Sequence, residues 1–247
     1  MRLDIVGSAG TFPAPGRPAS GYVISEGSTR VWCDAGSGTF MSLPVNDRLL
    51  DAVVISHRHP DHCADLLAAF HAWTFCPEPR RDVPLYAPES VFESIKAFLH
   101  DVDGLGVEDT FDFRPVIEGD TIEVGPLSIS FTTSDHSVPT VASRWSSGSR
   151  SMFFTGDTGA GGEWAALAKG VDLMLCEASY QGQPGVNAYP HHLTASEAGR
   201  IARKQEVGRL VLTHIPPYLD PTRSVAEAEP EFDRPVALAV PGGQFKI

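Results

Sequence analysis

Three histidines and an aspartate stand within six residues at His57-Arg58-His59-Pro60-Asp61-His62, directly behind the apolar run Asp51-Ala52-Val53-Val54-Ile55-Ser56. The run is β-branched and too short for a helix, so it predicts a buried strand that ends where the histidines begin. The C-terminal edge of a strand is rigid, and the loop leaving it can aim several donors at one point. Neutral imidazole suits zinc, manganese or iron, and a carboxylate among imidazoles widens that choice without deciding it. A solvated loop merely rich in histidine is the bland alternative, and the His-x-His-x-Asp-His spacing at a strand end argues against it.

The chain has 247 residues, 42% of them apolar, with no repeat, low-complexity tract or charged linker. One sizeable core is therefore expected, with a single domain over residues 1–247. No run approaches the length of a membrane span, and Met1-Arg2-Leu3-Asp4 lacks a signal-peptide pattern, which predicts a cytoplasmic protein with no membrane partner. Cys33, Cys63, Cys76 and Cys176 show neither CxxC spacing nor the density of a disulfide framework, so they read as reduced thiols. Cys63 adjoins the histidine motif, but Asp61 already offers a ligand there. The formal charge is −12, and no lysine or arginine cluster is long enough to make a basic face. Long nucleic acids, whose phosphates dominate affinity, are poor partners for such a chain.

Short apolar strands alternate with helical segments almost throughout, predicting a layered α/β protein. Leu3 to Val6, Gly21 to Ile24 and Thr29 to Cys33 open the chain as strands, with a glycine- and proline-rich loop from Gly7 to Gly16. Asp65 to Trp73 is a predicted helix with Leu66, Phe70 and Trp73 on one face. Val83 to Tyr86 and Glu89 to Leu99 give a further strand and helix. Asp120 to Val124 and Leu127 to Phe131 form a hairpin about Gly125-Pro126. Ser151 to Thr155, Val171 to Cys176 and Leu210 to Thr213 are strands, and Thr194 to Gln205 a helix. Pro235 to Val240 is expected as the last element, closing a sheet edge. His71 and His100 read as ordinary helical histidines. Phe70, Trp73 and Phe75 fit either a core or a dimer face.

Four more polar residues occupy the station of the opening motif. His136 follows the strand Leu127 to Phe131, Asp157 follows Phe153 to Gly156, Glu177 follows Leu173 to Cys176, and His214 follows Leu210 to Thr213. Taken in order, His57-x-His59-x-Asp61-His62, His136, Gly156-Asp157-Thr158 and His214 resemble the metallo-β-lactamase-fold hydrolases. The resemblance runs from the Asp34-Ala35-Gly36-Ser37-Gly38 turn to His214. It implies a four-layer αββα sandwich with a dinuclear site at one edge. By that resemblance His57, His59 and His136 hold one divalent metal, Asp61, His62 and His214 the other, and Asp157 bridges them. Zinc is the expected metal, with manganese the alternative. Two such ions stabilise both the attacking and the leaving oxygen of a displacement. True β-lactamases have cysteine where Asp157 stands, which argues against antibiotic hydrolysis.

Cys176-Glu177-Ala178-Ser179 and His192-Leu193-Thr194 resemble the Glu-Ala-Thr and His-Ser-Thr motifs of the RNase Z-like phosphodiesterase branch, with serine for threonine and leucine for serine. There the glutamate orients the histidine, which serves the scissile phosphate. A carboxylate partner keeps an imidazole protonated and aimed, as protonation of a leaving alkoxide requires. His191 is adjacent, and the His-x-Thr match selects His192. Asp157 follows His136 by 21 positions, which leaves no room for the tRNA-gripping arm that tRNA-processing members insert there.

The expected function is thus hydrolysis of a small phosphodiester by a dinuclear metal-bound hydroxide, with Asp61, Glu177 and His192 catalytic. Similarity to compact bacterial atypical class II cyclic-nucleotide phosphodiesterases makes a cyclic nucleotide such as cyclic AMP the leading substrate. A tRNA 3′-processing endonuclease and a non-catalytic metal-binding sensor are the alternatives. The resemblance favours a homodimer. Tyr180, Tyr189 and Tyr218 follow functional strand ends, where structural roles compete with stacking on a base.

Overall fold

A computed structural model describes residues 1–44, 46, 49–99, 106–182 and 189–247, so His100 lies outside the described residues. Two seven-stranded mixed sheets face one another. In the first, β1 (Arg2–Gly7), β2 (Gly21–Glu26) and β3 (Thr29–Ala35) run antiparallel. β3, β4 (Ala52–Val54), β5 (Val83–Ala87) and β6 (Phe111–Pro115) then continue in parallel. In the second, β7 (Thr121–Val124), β8 (Leu127–Thr133), β9 (Val141–Ser147) and β10 (Arg150–Phe154) form an antiparallel meander. β10, β11 (Leu173–Glu177), β12 (Arg209–Thr213) and β13 (Val236–Leu238) are parallel.

The alternation of side chains along each strand separates three cores. Val31, Cys33 and Val54 of the first sheet meet Trp145, Leu175 and Val211 of the second between the layers. Trp32 and Val53, on the opposite face, pack with Phe70 and Trp73 of the helix α2 (Asp65–Thr74) and with Val91 and Ile95 of α3 (Glu89–Phe98). Met174, Cys176 and Leu212 pack under α4 (Ala195–Lys204) and α5 (Pro221–Phe232). The result is the αββα sandwich. A buried hydrogen bond of 2.6 Å between the Tyr22 and Thr213 hydroxyls ties the sheets near the edge that carries the site.

Thr194, expected as helical, is the N-cap of α4: its hydroxyl accepts from the Glu197 N–H, and the Glu197 carboxylate accepts from the Thr194 N–H. Such a cap contributes about 1 kcal/mol. Pro235 to Val240 does supply an edge strand, β13, but it is not the last element. Gln244–Lys246 forms a further short strand, β14, which closes the edge of the first sheet against β1. Those three residues are too few and too polar to announce a strand; the unpaired edge of β1 makes them one. The turn after β9 is tight, since Trp145, Ser146 and Ser147 remain in the strand. Phe70 and Trp73 are core residues, whereas Phe75 is exposed. None of the four cysteines is in a disulfide, and Cys63 is buried with its thiol pushed up to about 12 by burial. Among the described residues no helix is long and apolar enough to cross a membrane.

Candidate metal centre and its histidine–glutamate pair

The parallel run β10-β11-β12 carries Asp157, Glu177 and His214 to one edge, in a register that pairs Glu177 with Thr213. From the other sheet, the segment after β4 crosses to meet them. The Val141 N–H donates to the Ser56 carbonyl at 3.0 Å, locking that segment to the start of β9. The short helix α1 (Pro60–Cys63) then begins, with His59 as N-cap and Pro60 at its first position. Proline there has the helical φ built in and loses no needed donor, so Asp61 and His62 fall on a fixed first turn.

The ligand-type atoms gather in two groups that share Asp157. His57, His59, His136 and Asp157 lie within 4.8 Å of one another, as do Asp61, His62, Asp157 and His214. Asp157 divides its oxygens between the groups. Its Oδ2 lies 3.7 Å from His57 Nε2, and its Oδ1 lies 3.2 Å from His62 Nε2 and 3.4 Å from His214 Nε2. Asp61 Oδ2 lies 3.1 Å from His214 Nε2 and accepts the Thr11 N–H at 2.8 Å.

Each imidazole turned toward a neighbour on its outer side has an acceptor there. His62 Nδ1 meets Asp34 at 2.7 Å, His214 Nδ1 meets Ser179 Oγ at 2.8 Å, and His136 Nδ1 meets the His191 carbonyl at 3.1 Å. Ser56 donates to Asp34, which leaves its oxygen free to accept from His57 Nδ1 at 3.1 Å. Protons on those outer nitrogens turn the Nε2 lone pairs inward, the arrangement metal-binding histidines adopt. His59 instead presents Nδ1, at 3.0 Å from His57 Nε2 and 3.1 Å from His136 Nε2. His62 Nε2 and Asp157 Oδ1 are buried and make no hydrogen bond despite their short separation. Buried polar atoms without partners are costly, and a cation shared among convergent imidazole and carboxylate donors satisfies them. The residues therefore fit divalent metal.

Electrostatics agree. Burial lowers the pKa of His57, His59 and His136, favouring the neutral form that ligates. Burial also disfavours charge on His62, but Asp157, Asp61 and Asp34 outweigh it and raise its pKa well above the ordinary value. Asp157, which burial would raise, is held well below the carboxylate range by His214, His62 and His57. A site that stabilises negative Asp157 and draws positive charge onto His62 is built for cations.

Glu177 is fully buried and accepts from the Thr158 N–H at 2.6 Å and the Ser179 hydroxyl at 2.6 Å. Its oxygens lie 3.0 and 3.2 Å from His192 Nδ1. Burial lowers the His192 pKa, but the Glu177 charge and hydrogen bond prevail and raise it to about 9. His191 points elsewhere, 3.4 Å from Asp135. His71 bonds the Leu67 carbonyl on α2 and stays outside the site.

Asp34, Ser56 and Ser179 were not among the expected site residues. Asp34 had a signal, since it ends a strand and precedes a glycine turn like the other donors. Ser179 had one as well, since it stands for threonine in the Glu-Ala-Thr-like motif, and Ser56 had none beyond adjacency. Backbone geometry adds further constraints. His214 and Asp34 sit at φ of 54° and 55°, a region costly for non-glycine residues and frequent at functional sites. Gly36 abuts the Asp61 carbonyl so closely that a Cβ would lie 2.0 Å from that oxygen.

Comparison with known proteins agrees with this geometry. Residues 29–215 match the β-lactamase superfamily domain. An uncharacterized protein of Mycobacterium leprae (strain TN) is 33% identical over all of this chain and 89% of its own length. The probable metallo-hydrolase YhfI of Bacillus subtilis is 30% identical over 98% of each. Its crystal structure superposes with a TM-score of 0.87, covering 99% of both chains at 27% identity. A ribonuclease Z of Methanopyrus kandleri is 27% identical over 98% of this chain and 95% of its own. With its αββα layers, its His/Asp cluster fit for divalent metal and the match over residues 29–215, the chain belongs to the β-lactamase superfamily as a compact metallo-hydrolase-type member of the metallo-β-lactamase fold.

Proposed function

We propose that the protein is a metal-dependent phosphodiesterase acting on a small phosphodiester, with a cyclic nucleotide such as cyclic AMP as the leading substrate. The Glu177–His192 pair beside the metal cluster carries this reading. In it, His57, His59, His136 and Asp157 hold one zinc or manganese ion, and Asp61, His62, His214 and Asp157 a second. Bound there, divalent ions supply Lewis acidity toward phosphate and a water nucleophile at neutral pH.

The chain's own groups do the rest. His192 donates its Nδ1 proton to Glu177, so its Nε2 proton is the one free for a substrate. With a pKa near 9 it keeps that proton at neutral pH and passes it to the departing oxygen as the phosphorus–oxygen bond breaks. Ser179 donates to Glu177 and accepts from His214 Nδ1, so one hydroxyl aligns the proton donor with the cluster. Asp61, fixed by the Thr11 N–H, orients the attacking water.

The short span from His136 to Asp157, filled by β9, a two-residue turn and β10, favours a small substrate. The alignment with the ribonuclease Z of Methanopyrus kandleri runs to 282 positions against 247 residues here, so that relative carries segments this chain lacks. The existence of such relatives favours tRNA 3′ processing as the second reading. Hydrolysis of bis(p-nitrophenyl) phosphate, cyclic AMP and precursor tRNA, by wild type and by Asp61→Ala and His192→Ala, tests both. Undiminished rates in the two variants would end the assignment, and cleavage of precursor tRNA alone would favour the second reading. A homodimer in the cytoplasm belongs to the same proposal, and light scattering of the purified protein tests the dimer.

A further inference from the structure

The metal cluster and the His192 pair leave a group of aromatic side chains without a role. Tyr189, 40% exposed, tilts over His192 with ring centroids 5.7 Å apart, and Tyr180 meets the same imidazole edge-on at 5.9 Å. On the Asp61 side, Phe12 follows Thr11, whose N–H binds Asp61, and stacks on Tyr218, four residues beyond His214. The Phe12 and Tyr218 rings lie 6.3 Å apart at 25°, and they are 45% and 69% exposed. Burial lifts the Tyr180 hydroxyl pKa and Glu177, Tyr218 and Tyr189 add to it, so Tyr180 stands within electrostatic reach of both pairs.

None of these rings is needed for the core. The described part of the chain buries its four tryptophans and six of its thirteen phenylalanines, yet leaves three large aromatics at the mouth of one polar site. Exposed tyrosines scattered singly need no explanation, but several around one proton donor do. An aromatic face offers stacking to any flat ring while remaining compatible with water at its edges. On the phosphodiesterase reading the neighbouring cluster takes the phosphate, so a ligand reaching both regions carries a phosphoryl group and a planar ring.

We propose that Tyr218, backed by Phe12 and continued by Tyr180 and Tyr189, is a stacking platform for the nucleobase of the substrate. This rests on the phosphodiesterase reading for the substrate's being a nucleotide, but the platform itself is a binding surface and is tested by binding. Stacking selects for a ring without reading base edges, so purine and pyrimidine nucleotides are both accepted, purines more tightly for their larger face.

Calorimetric titration of the metal-loaded protein with AMP and with ribose 5-phosphate, which share phosphate and ribose, isolates the base. Wild type is expected to bind AMP roughly 5- to 150-fold more tightly, the range of one base–aromatic stack. Tyr218→Ala is expected to remove most of that ratio, and Phe12→Ala part of it, with the loss falling on AMP and sparing ribose 5-phosphate. Tyr218→Trp keeps the ratio. Both positions are exposed, so folding survives, and unchanged thermal unfolding verifies it. Equal affinities in wild type, or a ratio untouched by both alanine variants, overturn the platform even if cyclic AMP is hydrolysed. A base-dependent ratio lost in Tyr218→Ala upholds it even if no phosphodiester is cleaved, in which case the proposed reaction alone fails.

Discussion

His62 Nδ1 lies 2.7 Å from the carboxylate of Asp34, a fully buried residue 28 positions earlier in the chain. Asp34 also receives the Ser56 N–H at 2.7 Å and the Ser56 hydroxyl at 2.9 Å. One carboxylate therefore sets the tautomer of His62 directly and steadies Ser56, which faces His57. Partners of this kind typically change metal affinity by about 10- to 100-fold when removed. Asp34→Asn is expected to weaken metal binding by that order while leaving all direct ligands in place, as measured by competition with a chromophoric chelator. Wild-type affinity in the variant would contradict the role.

Metal stoichiometry distinguishes the two groups of donors. Two ions per chain are expected by elemental analysis of wild type. His136→Ala should lose one, His214→Ala should lose the other, and Asp157→Ala should lower the content of both, because its two oxygens face different groups. Chelation should lower the unfolding temperature, since ions bound only to the native state stabilise it by mass action.

The Glu177–His192 pair predicts a definite pH dependence in the chelated protein. The folded His192 pKa of about 9 lies above the ordinary histidine value of 6.5. Its contribution to stability is then fully present below about pH 6.5 and is lost as pH rises through about 9. Glu177→Gln removes the charge that outweighs burial, so the His192 midpoint should fall by more than one unit in an NMR titration. The stability difference between wild type and Glu177→Gln should shrink between pH 6 and pH 10, measured by urea unfolding. A difference that grows over this range would sink the argument.

Gly36→Ala places a methyl carbon 2.0 Å from the Asp61 carbonyl oxygen, which is backbone and has no rotamer to yield. Overpacking of this kind costs about 1–3 kcal/mol. Because the atom struck belongs to α1, the same substitution should displace Asp61 and His62. Lower stability in denaturant together with lower metal content is expected. Loss of stability with full metal content would mean that α1 relaxes as a rigid piece.

The amino-acid sequence by itself determined the element pattern and the chemistry at the strand ends. β4, β10, β11 and β12 are short apolar runs whose local periodicity carries their conformation, and their exits display His57, Asp157, Glu177 and His214 in plain order. The segment that became α5 and the strand β14 were not legible. α5 holds an internal Pro230 that blurs a helical pattern, and β14 exists only because β1 offers it an open edge. The tertiary structure alone decided the pairings of Asp34 with His62 and of Ser179 with His214, and it sets His192, the histidine the motif match selected, beside Glu177. It also decided that Phe12 and Tyr218, more than 200 positions apart, stack beside the site. Local sequence encodes which groups leave a strand and in what order, because backbone conformation is a short-range property. Which nitrogen keeps its proton, and which ring faces which, depends on contacts between segments that only packing of the two sheets brings within hydrogen-bond distance.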